Sequence, residues 1–314
     1  MSSLPDYGLR LVQYLGLMLL FGLPLFVWYS RVALTAGSDR SPSLPRRALG
    51  IALLLGALLG LALAGIEIVR STAGMMGTAV SGLNRADLIW YLSDTPAGRA
   101  GLTRAFLLVL MIAVLGWHLR RGERPFPVRR VTLLATAALA SLAWNGHAAA
   151  GEGVSGMLRL AAGIAHLLAA GGWVGAIAAL LFLLVRHGRP ATGAGLHALW
   201  QILHAFARPG TAFVAILVVT GVLHYGDLVG WAVAPLFHSG HGNLMLLKLA
   251  LFAAMLGLAA LHRWRLVPRL ERECQATPRP HAAQPLRRSV SIEAMIATLI
   301  LASVAVLGTL NPQG

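Results

Sequence analysis

The chain has 314 residues and one cysteine, Cys274. That scarcity excludes an intramolecular disulfide, a CxxC motif and any metal site built from several thiolates. Charge is scarce as well. Only 12% of residues are charged, against roughly 25% in ordinary soluble domains, while 57% are hydrophobic. Acidic residues are the rarest, with 11 Asp and Glu against 26 Lys and Arg and a formal net charge of +15. An oxygen-rich Ca²⁺ or Mg²⁺ site fits badly, because Glu67, Asp87, Asp94, Glu152 and Asp227 are sparse and dispersed. There is no Gly-rich phosphate loop, no heptad array and no internal repeat, so an ATP-driven pump in this chain alone is not expected. A basic surplus in a soluble protein points to nucleic acid, but that footprint is a coherent basic face. Here the basic residues alternate with long apolar runs, and no nucleic-acid partner is expected.

Those runs are the main positive feature. A helix rises about 1.5 Å per residue, so roughly twenty apolar residues cross a hydrocarbon core of about 30 Å. Eight spans are predicted, near residues 9–30, 47–69, 100–119, 128–146, 157–185, 208–226, 244–263 and 289–310. The fold class is therefore all-α: a polytopic integral membrane helical bundle of about eight transmembrane helices, with residues 1–314 forming a single membrane domain. The first run is read as a span and not as a cleaved signal sequence. It exceeds the usual 7–15-residue apolar region, and its positive cluster follows it instead of preceding it.

Arginine placement gives the orientation. Arg31, Arg40, Arg46 and Arg47 fill the first gap, and Arg120, Arg121, Arg124, Arg129 and Arg130 the third. Arg186, Arg189 and Arg208 lie in the fifth, and Arg263, Arg265, Arg269, Arg272, Arg279, Arg287 and Arg288 in the seventh. Only Arg10, Arg70, Arg85, Arg99, Arg104, Arg159 and Lys248 fall in outer loops or just inside helix ends. By the positive-inside rule the odd gaps are cytoplasmic and both termini are periplasmic. The outer segment 70–99 reads as an interfacial or re-entrant stretch anchored by Trp90 and Tyr91 at headgroup level. The proline- and arginine-rich segment 266–288 reads as a poorly ordered linker.

With orientation assigned, the histidines separate. His187, His197, His204 and His281 fall in cytoplasmic loops, and His118 and His262 at cytoplasmic helix ends. His147, His224, His238 and His241 fall at outer helix ends or in outer loops. His166 stands alone inside a span, about 13–14 Å along a helix that starts near Met157. Met75 and Met76 form an outer pair, and Met157 and Met245 begin the fifth and seventh spans. Thioether sulfur favours Cu(I), and imidazole accepts Cu(I) or Cu(II). A His/Met set without thiolate is what a copper site in an oxidising compartment needs, so His147, His166, His238, His241, Met75, Met76 and Met157 are the metal-ligand candidates.

Each has an ordinary reading beside it. A methionine in a membrane helix commonly fills packing gaps, and His238-Ser-Gly-His241 reads equally as a solvated loop pair. His147, after Asn145-Gly146, could meet water or a lipid phosphate. Ionisable groups deep in a membrane are costly and usually face a bundle interior or an aqueous cavity. For His166 the ordinary alternative is a structural hydrogen bond to another helix, with metal, haem or proton handling as the others. Three further intramembrane charges stand out: Glu67, Lys248 and Glu293. Arg104 could neutralise Glu67, whereas Lys248 and Glu293 lie at opposite depths and should not pair directly.

Ordered motifs then suggest a family. His166-Leu-Leu-Ala-Ala-Gly-Gly-Trp173-Val-Gly175 resembles the fifth-helix signature of the bacterial copper resistance protein D family (CopD, also PcoD). Asn145-Gly146-His147-Ala148 resembles its fourth-helix end and Thr220-Gly221 its sixth-helix Thr-Gly. Leu246-Leu247-Lys248-Leu249-Ala250-Leu251 resembles the seventh-helix Leu-Leu-Lys motif, and Arg288-Ser-Val-Ser-Ile-Glu293 the opening of the eighth. The resemblance is best over residues 140–310, the earlier half agreeing in span layout. Two departures are His241-Gly242 where the family often has Tyr-Gly, and His204-Ala-Phe-Ala-Arg208 at the sixth-helix entry. His238 and His241 are therefore not carried over as family ligands.

The resemblance implies an inner-membrane protein of copper homeostasis, commonly acting beside the periplasmic carrier CopC and proposed to move copper inward, with membrane lipid as its surroundings and no enzymatic role. A relay is expected in which an outer site containing Met75, Met76 and His147 passes copper to His166 and on to the cytoplasm. Two rivals stand beside it. One is a b-type haem cytochrome resembling the cytochrome b561 class, which needs imidazoles from two helices at matching depth, such as His166 with a partner or the set His118, His204 and His262. The other is a non-transporting membrane partner of a periplasmic protein.

Overall fold

The computed structural model describes residues 4–30, 33–35, 43–121, 125–145, 153–187, 193–229, 240–275 and 283–308. Long apolar runs fold as helices because backbone polar groups in hydrocarbon must be satisfied within the segment. In chain order the helices are α1 (Leu4–Ser30), α2 (Arg46–Met76), α3 (Arg85–Asp94), α4 (Pro96–Arg121), α5 (Val128–Ala140), α6 (Gly153–His187), α7 (Gly193–Val229), α8 (Gly240–Leu261), α9 (Val267–Gln275) and α10 (Gln284–Leu307). A parallel two-stranded pairing, Ala33–Thr35 (β1) with Ser43–Pro45 (β2), departs from the all-helix expectation.

Seven of these helices are long and apolar enough to cross a membrane: α1, α2, α4, α6, α7, α10 and the stretch Gly242–Glu273 that holds α8. Two contacts bring helix ends together. Arg10 near the start of α1 donates to the carbonyl of Gly308, just past α10, at 2.9 Å. Arg70, near the end of α2, pairs with Asp6 of α1. The start of α1 and the end of α10 therefore share one end of the bundle, which an eighth crossing among the described residues accounts for. It is α5 with the 3₁₀ stretch Ser141–Asn145 that follows it. Thirteen α-helical residues and five 3₁₀ residues together reach about 30 Å, enough for the hydrocarbon core.

α6 is the centre of the bundle. It packs against α1, α5, α7 and α10, and 61% of its most apolar window is buried against 6% for the α8 stretch. Apolar burial does not drive helix association in lipid as it does in water, so close backbone approach has to supply it. Gly171, Gly172 and Gly175 of α6 provide that approach. A Cβ on Gly175 would lie 2.2 Å from the backbone of Gly22 in α1, and one on Gly22 would lie 2.2 Å from the carbonyl oxygen of Gly171. Gly172 accepts the ring of Phe213 from α7 in the same way. The Gly-Gly-Trp-Val-Gly run is therefore a packing device before it is anything else.

Several boundaries differ from expectation. α7 begins at Gly193, fifteen residues before the predicted span, so His197 and His204 lie in helix and not in a loop; Trp200 packs between their rings at 5.5 and 5.3 Å. Residues 267–275, expected as part of a linker, form α9. The outer segment holds the short helix α3, started by a reciprocal capping box between Asn84 and Asp87. Trp90 is exposed there as an interfacial anchor should be, but Tyr91 is only 3% exposed and faces inward. Small residues explain this: a Cβ on Gly98 would collide with the Tyr91 carbonyl, so α3 folds tightly onto the start of α4.

Candidate functional site

Three buried polar centres interrupt the apolar interior. The first joins α1, α2, α4 and the Ser141–Asn145 stretch. Glu67 accepts from Arg104 Nη1 at 2.5 Å, from Gln13 Nε2 at 2.5 Å and from Asn145. Arg104 is fully buried, and its Nε donates to Ser141 Oγ at 2.9 Å. The expected neutralisation of Glu67 by Arg104 is present. Nearly every polar atom of the pair is held, which is the condition for tolerating a desolvated ion pair. This centre is a structural tie among four elements.

The second lies where α6, α7 and α8 meet. His166 Nδ1 is 2.8 Å from Thr220 Oγ1 on α7. One helical turn further, His224 brings its ring to 5.5 Å from that of His166, at 59°. Lys248 of α8 lies near enough to act electrostatically on both imidazoles, and Asp227 on His224. Asp227 also takes a 3.0 Å ion pair from Arg159 of α6. His224 Nε2 is buried and has no hydrogen-bond partner among the described residues. The ordinary reading of His166, a bond to another helix, is thus realised through Thr220, yet it leaves Nε2 of both rings for other chemistry. Sequence reasoning placed His224 at an outer helix end and missed it as the partner of His166; its four-residue spacing from Thr220 was the available signal.

The third lies toward the other end of α6. Trp173, two turns beyond His166, donates Nε1–H to Glu293 Oε1 at 2.9 Å. Glu293 Oε2 is 3.4 Å from His262 Nδ1, and His262 Nε2 is 2.7 Å from Ser289 Oγ. Glu293 is only 4% exposed. His262 opens a π-helical turn, His262–Leu266, at the end of α8. The expectation that Lys248 and Glu293 occupy different depths agrees with their separate centres. Between them, Trp173 meets Phe252 of α8 edge-on with ring centres 6.3 Å apart.

Among the described residues, the other sequence candidates are not gathered into these three centres. Met75 and Met157 are exposed, at 57% and 73%, and Met76 and Met245 are half-buried. His147 and His238 lie outside the described residues, and His241 falls in the first turn of α8. Among the described residues no group of three or more His, Cys, Asp or Glu is arranged around a metal position. The histidines of the haem alternative go to different partners: His118 to Phe126, His204 to Trp200 and His262 to Glu293.

An eight-crossing helical bundle with paired imidazoles and a buried carboxylate in its core defines a multi-pass membrane protein built to hold polar groups away from lipid. Comparison with known proteins then gives its family. Residues 1–157 match the family described as "Copper resistance protein D-like, N-terminal domain", and residues 200–307 match "Copper resistance protein D". The chain is 36% identical over 309 residues to Copper resistance protein D of Pseudomonas syringae pv. tomato, covering 98% of this chain and 96% of that protein. It is 26% identical over 309 residues to Inner membrane protein YebZ of Escherichia coli (strain K12), covering 97% of each. Copper transport protein CutJ of Bacillus subtilis (strain 168) is 27% identical over 257 residues, which are 81% of this chain but 45% of that protein. No solved structure matches it significantly. The chain belongs to the copper resistance protein D family.

Proposed function

We propose that this protein serves copper homeostasis at the bacterial inner membrane by moving copper ions from the periplasm toward the cytoplasm through imidazole and thioether ligands. The observation that carries the reading is the His166–His224 pair, two imidazoles from separate spans in contact inside the bundle. An ion bonded at about 2.0 Å lies about 3.1 Å from a ring centre, so centres 5.5 Å apart fit one shared ion with a His–metal–His angle of about 120°. The Thr220 hydroxyl on Nδ1 is the outer partner that orients a ligating histidine and leaves Nε2 for the metal.

A periplasmic carrier of the CopC type, implied by the family resemblance, delivers copper to the outer end. Met75, Met76, His147 and Met157 are the donors proposed there, with His238 and His241 as further outer candidates. From that end the ion passes to His166 and His224. Ligand exchange keeps the ion coordinated, since a bare charge in hydrocarbon is prohibitively costly. An inside-negative potential favours entry by about 2.3 kcal/mol per charge per 100 mV. The Lys248 ammonium weakens retention, and a station must release its ion as readily as it takes it. This reading assigns no catalysis to the chain.

Copper accumulation in cells expressing the wild type, His166→Ala or His224→Ala tests the reading. Both variants should lower accumulation at matched membrane expression; equal accumulation in all three refutes it. The same pair of imidazoles raises the haem alternative, because two helices now supply rings at one depth. Linear ligation of a haem iron needs ring centres about 6.3 Å apart with the porphyrin between them, which fits the tilted 5.5 Å pair less well. A Soret band with reducible α-bands in purified protein would favour haem.

A further inference from the structure

We infer that His262 and Glu293 form a second cation station at the opposite end of the bundle from the outer donors, built for a borderline divalent ion such as Cu(II). The inference rests on the transport reading only for the identity of the ion; the ligand geometry stands independently.

The separation of the two groups is the first argument. His262 Nδ1 and Glu293 Oε2 are 3.4 Å apart. That is longer than a normal N–H···O bond of about 2.7–3.2 Å. Four-coordinate sites with bonds of about 2.0 Å have ligand–ligand edges from about 2.8 Å when square-planar to about 3.3 Å when tetrahedral. The pair sits just beyond that range and closes by about 0.6 Å to take Cu(II) in its preferred tetragonal form. The second argument is that each ligand already has its orienting partner. Ser289 Oγ holds His262 Nε2 at 2.7 Å, which leaves Nδ1 for the ion. Trp173 Nε1–H holds Glu293 Oε1 at 2.9 Å, which leaves Oε2. Such outer partners fix the direction of metal ligands and raise their affinity.

The backbone supplies a third argument. The π-helical turn opens at His262, the residue whose ring meets Glu293 and Ser289 of α10. Single π turns of this kind recur at functional sites. Of the arginines on the π-helical turn, Arg263 donates to Thr211 on α7 and Arg265 is exposed. One imidazole and one carboxylate suit Cu(II) better than Cu(I), which prefers sulfur. Two protein ligands leave positions for water, so the ion is held weakly enough to move on.

The test uses full-length purified protein, Cu(II) titration and electron paramagnetic resonance. A His147→Ala/His166→Ala/His224→Ala/His238→Ala/His241→Ala variant, which removes the imidazoles of the other proposed sites, should retain one Cu(II) equivalent with superhyperfine coupling to a single nitrogen. Adding Glu293→Gln or His262→Ala should weaken that site by about 10–100-fold, and Trp173→Phe by about tenfold. In the otherwise wild-type protein, Glu293→Gln should lower the bound copper by one equivalent and keep the two-nitrogen signal of the His166–His224 pair. No copper in that histidine-depleted variant, or copper unaffected by Glu293→Gln in either background, overturns the inference. Failure of cellular copper accumulation to depend on His166 refutes the transport reading instead and leaves this binding result standing.

Discussion

His166 and Thr220 join α6 to α7 through one contact of 2.8 Å, and that contact decides which nitrogen of the imidazole is left over. Thr220 and His224 are four residues apart on α7, so the residue that orients one histidine also sits below the other on the same helix face.

Thr220→Val keeps the volume and removes the hydroxyl. Copper affinity of the purified protein should fall by about 10–100-fold, the usual cost of deleting an orienting partner. Equilibrium titration with a competing chelator measures it, and unchanged affinity would show that the threonine does not orient a ligand.

Lys248→Met should have the opposite sign. Removing a like charge beside the two imidazoles should tighten copper binding by on the order of tenfold, given effective dielectric values near those of partly hydrated protein. Transport should slow as the ion is held longer. Weaker binding in this variant would mean that the lysine itself helps to retain the ion.

Arg104→Met leaves Glu67 without its guanidinium and should cost about 3–5 kcal/mol, read as early thermal unfolding in detergent. Glu67→Gln combined with Arg104→Met should restore most of that loss, because replacing a whole buried pair is often close to neutral. A double variant as unstable as the single one would show that Gln13 and Asn145 depend on the pair for more than charge balance.

Gly175→Ala and Gly22→Ala should each destabilise the bundle by about 1–3 kcal/mol or more, since the added carbon overlaps backbone that cannot shift independently. Gly116→Ala is the control. Nothing lies within 4 Å of its Cβ position, and alanine should add about 0.5–1 kcal/mol to the helix. Equal melting of Gly175→Ala and Gly116→Ala would remove the close-packing account.

The crossings were legible because lipid thickness imposes a length on apolar runs that composition alone reveals. Helix ends were not, because hydropathy marks where lipid begins and not where hydrogen bonding stops; α7 continues through His197, Trp200 and His204 well beyond its apolar part. The same holds for the crossing at α5, whose tight final turns give it span length with fewer α-helical residues than the other crossings. Of the polar centres, the Glu67–Arg104 pair could be guessed from matching depth and opposite sign. His224, whose spacing from Thr220 was the one available signal, and His262 were not. Each lies among groups that look like ordinary helix-end polarity, and only the packing of α7 on α6 and the π turn after α8 bring them to His166 and Glu293.

The contact between Gly22 and Gly175 divides the ligands into two mechanical classes. His166 and Trp173 ride on a helix clamped backbone to backbone against α1, so they form the stationary half of each centre. His224, Lys248, His262 and Glu293 belong to α7, α8 with its π turn, and α10, of which α10 is also tied to α1 through Arg10 and Gly308. On the proposed transport reading, movement of α7 or α8 against α6 is what opens a centre, with the α1–α6 pair as its fixed post.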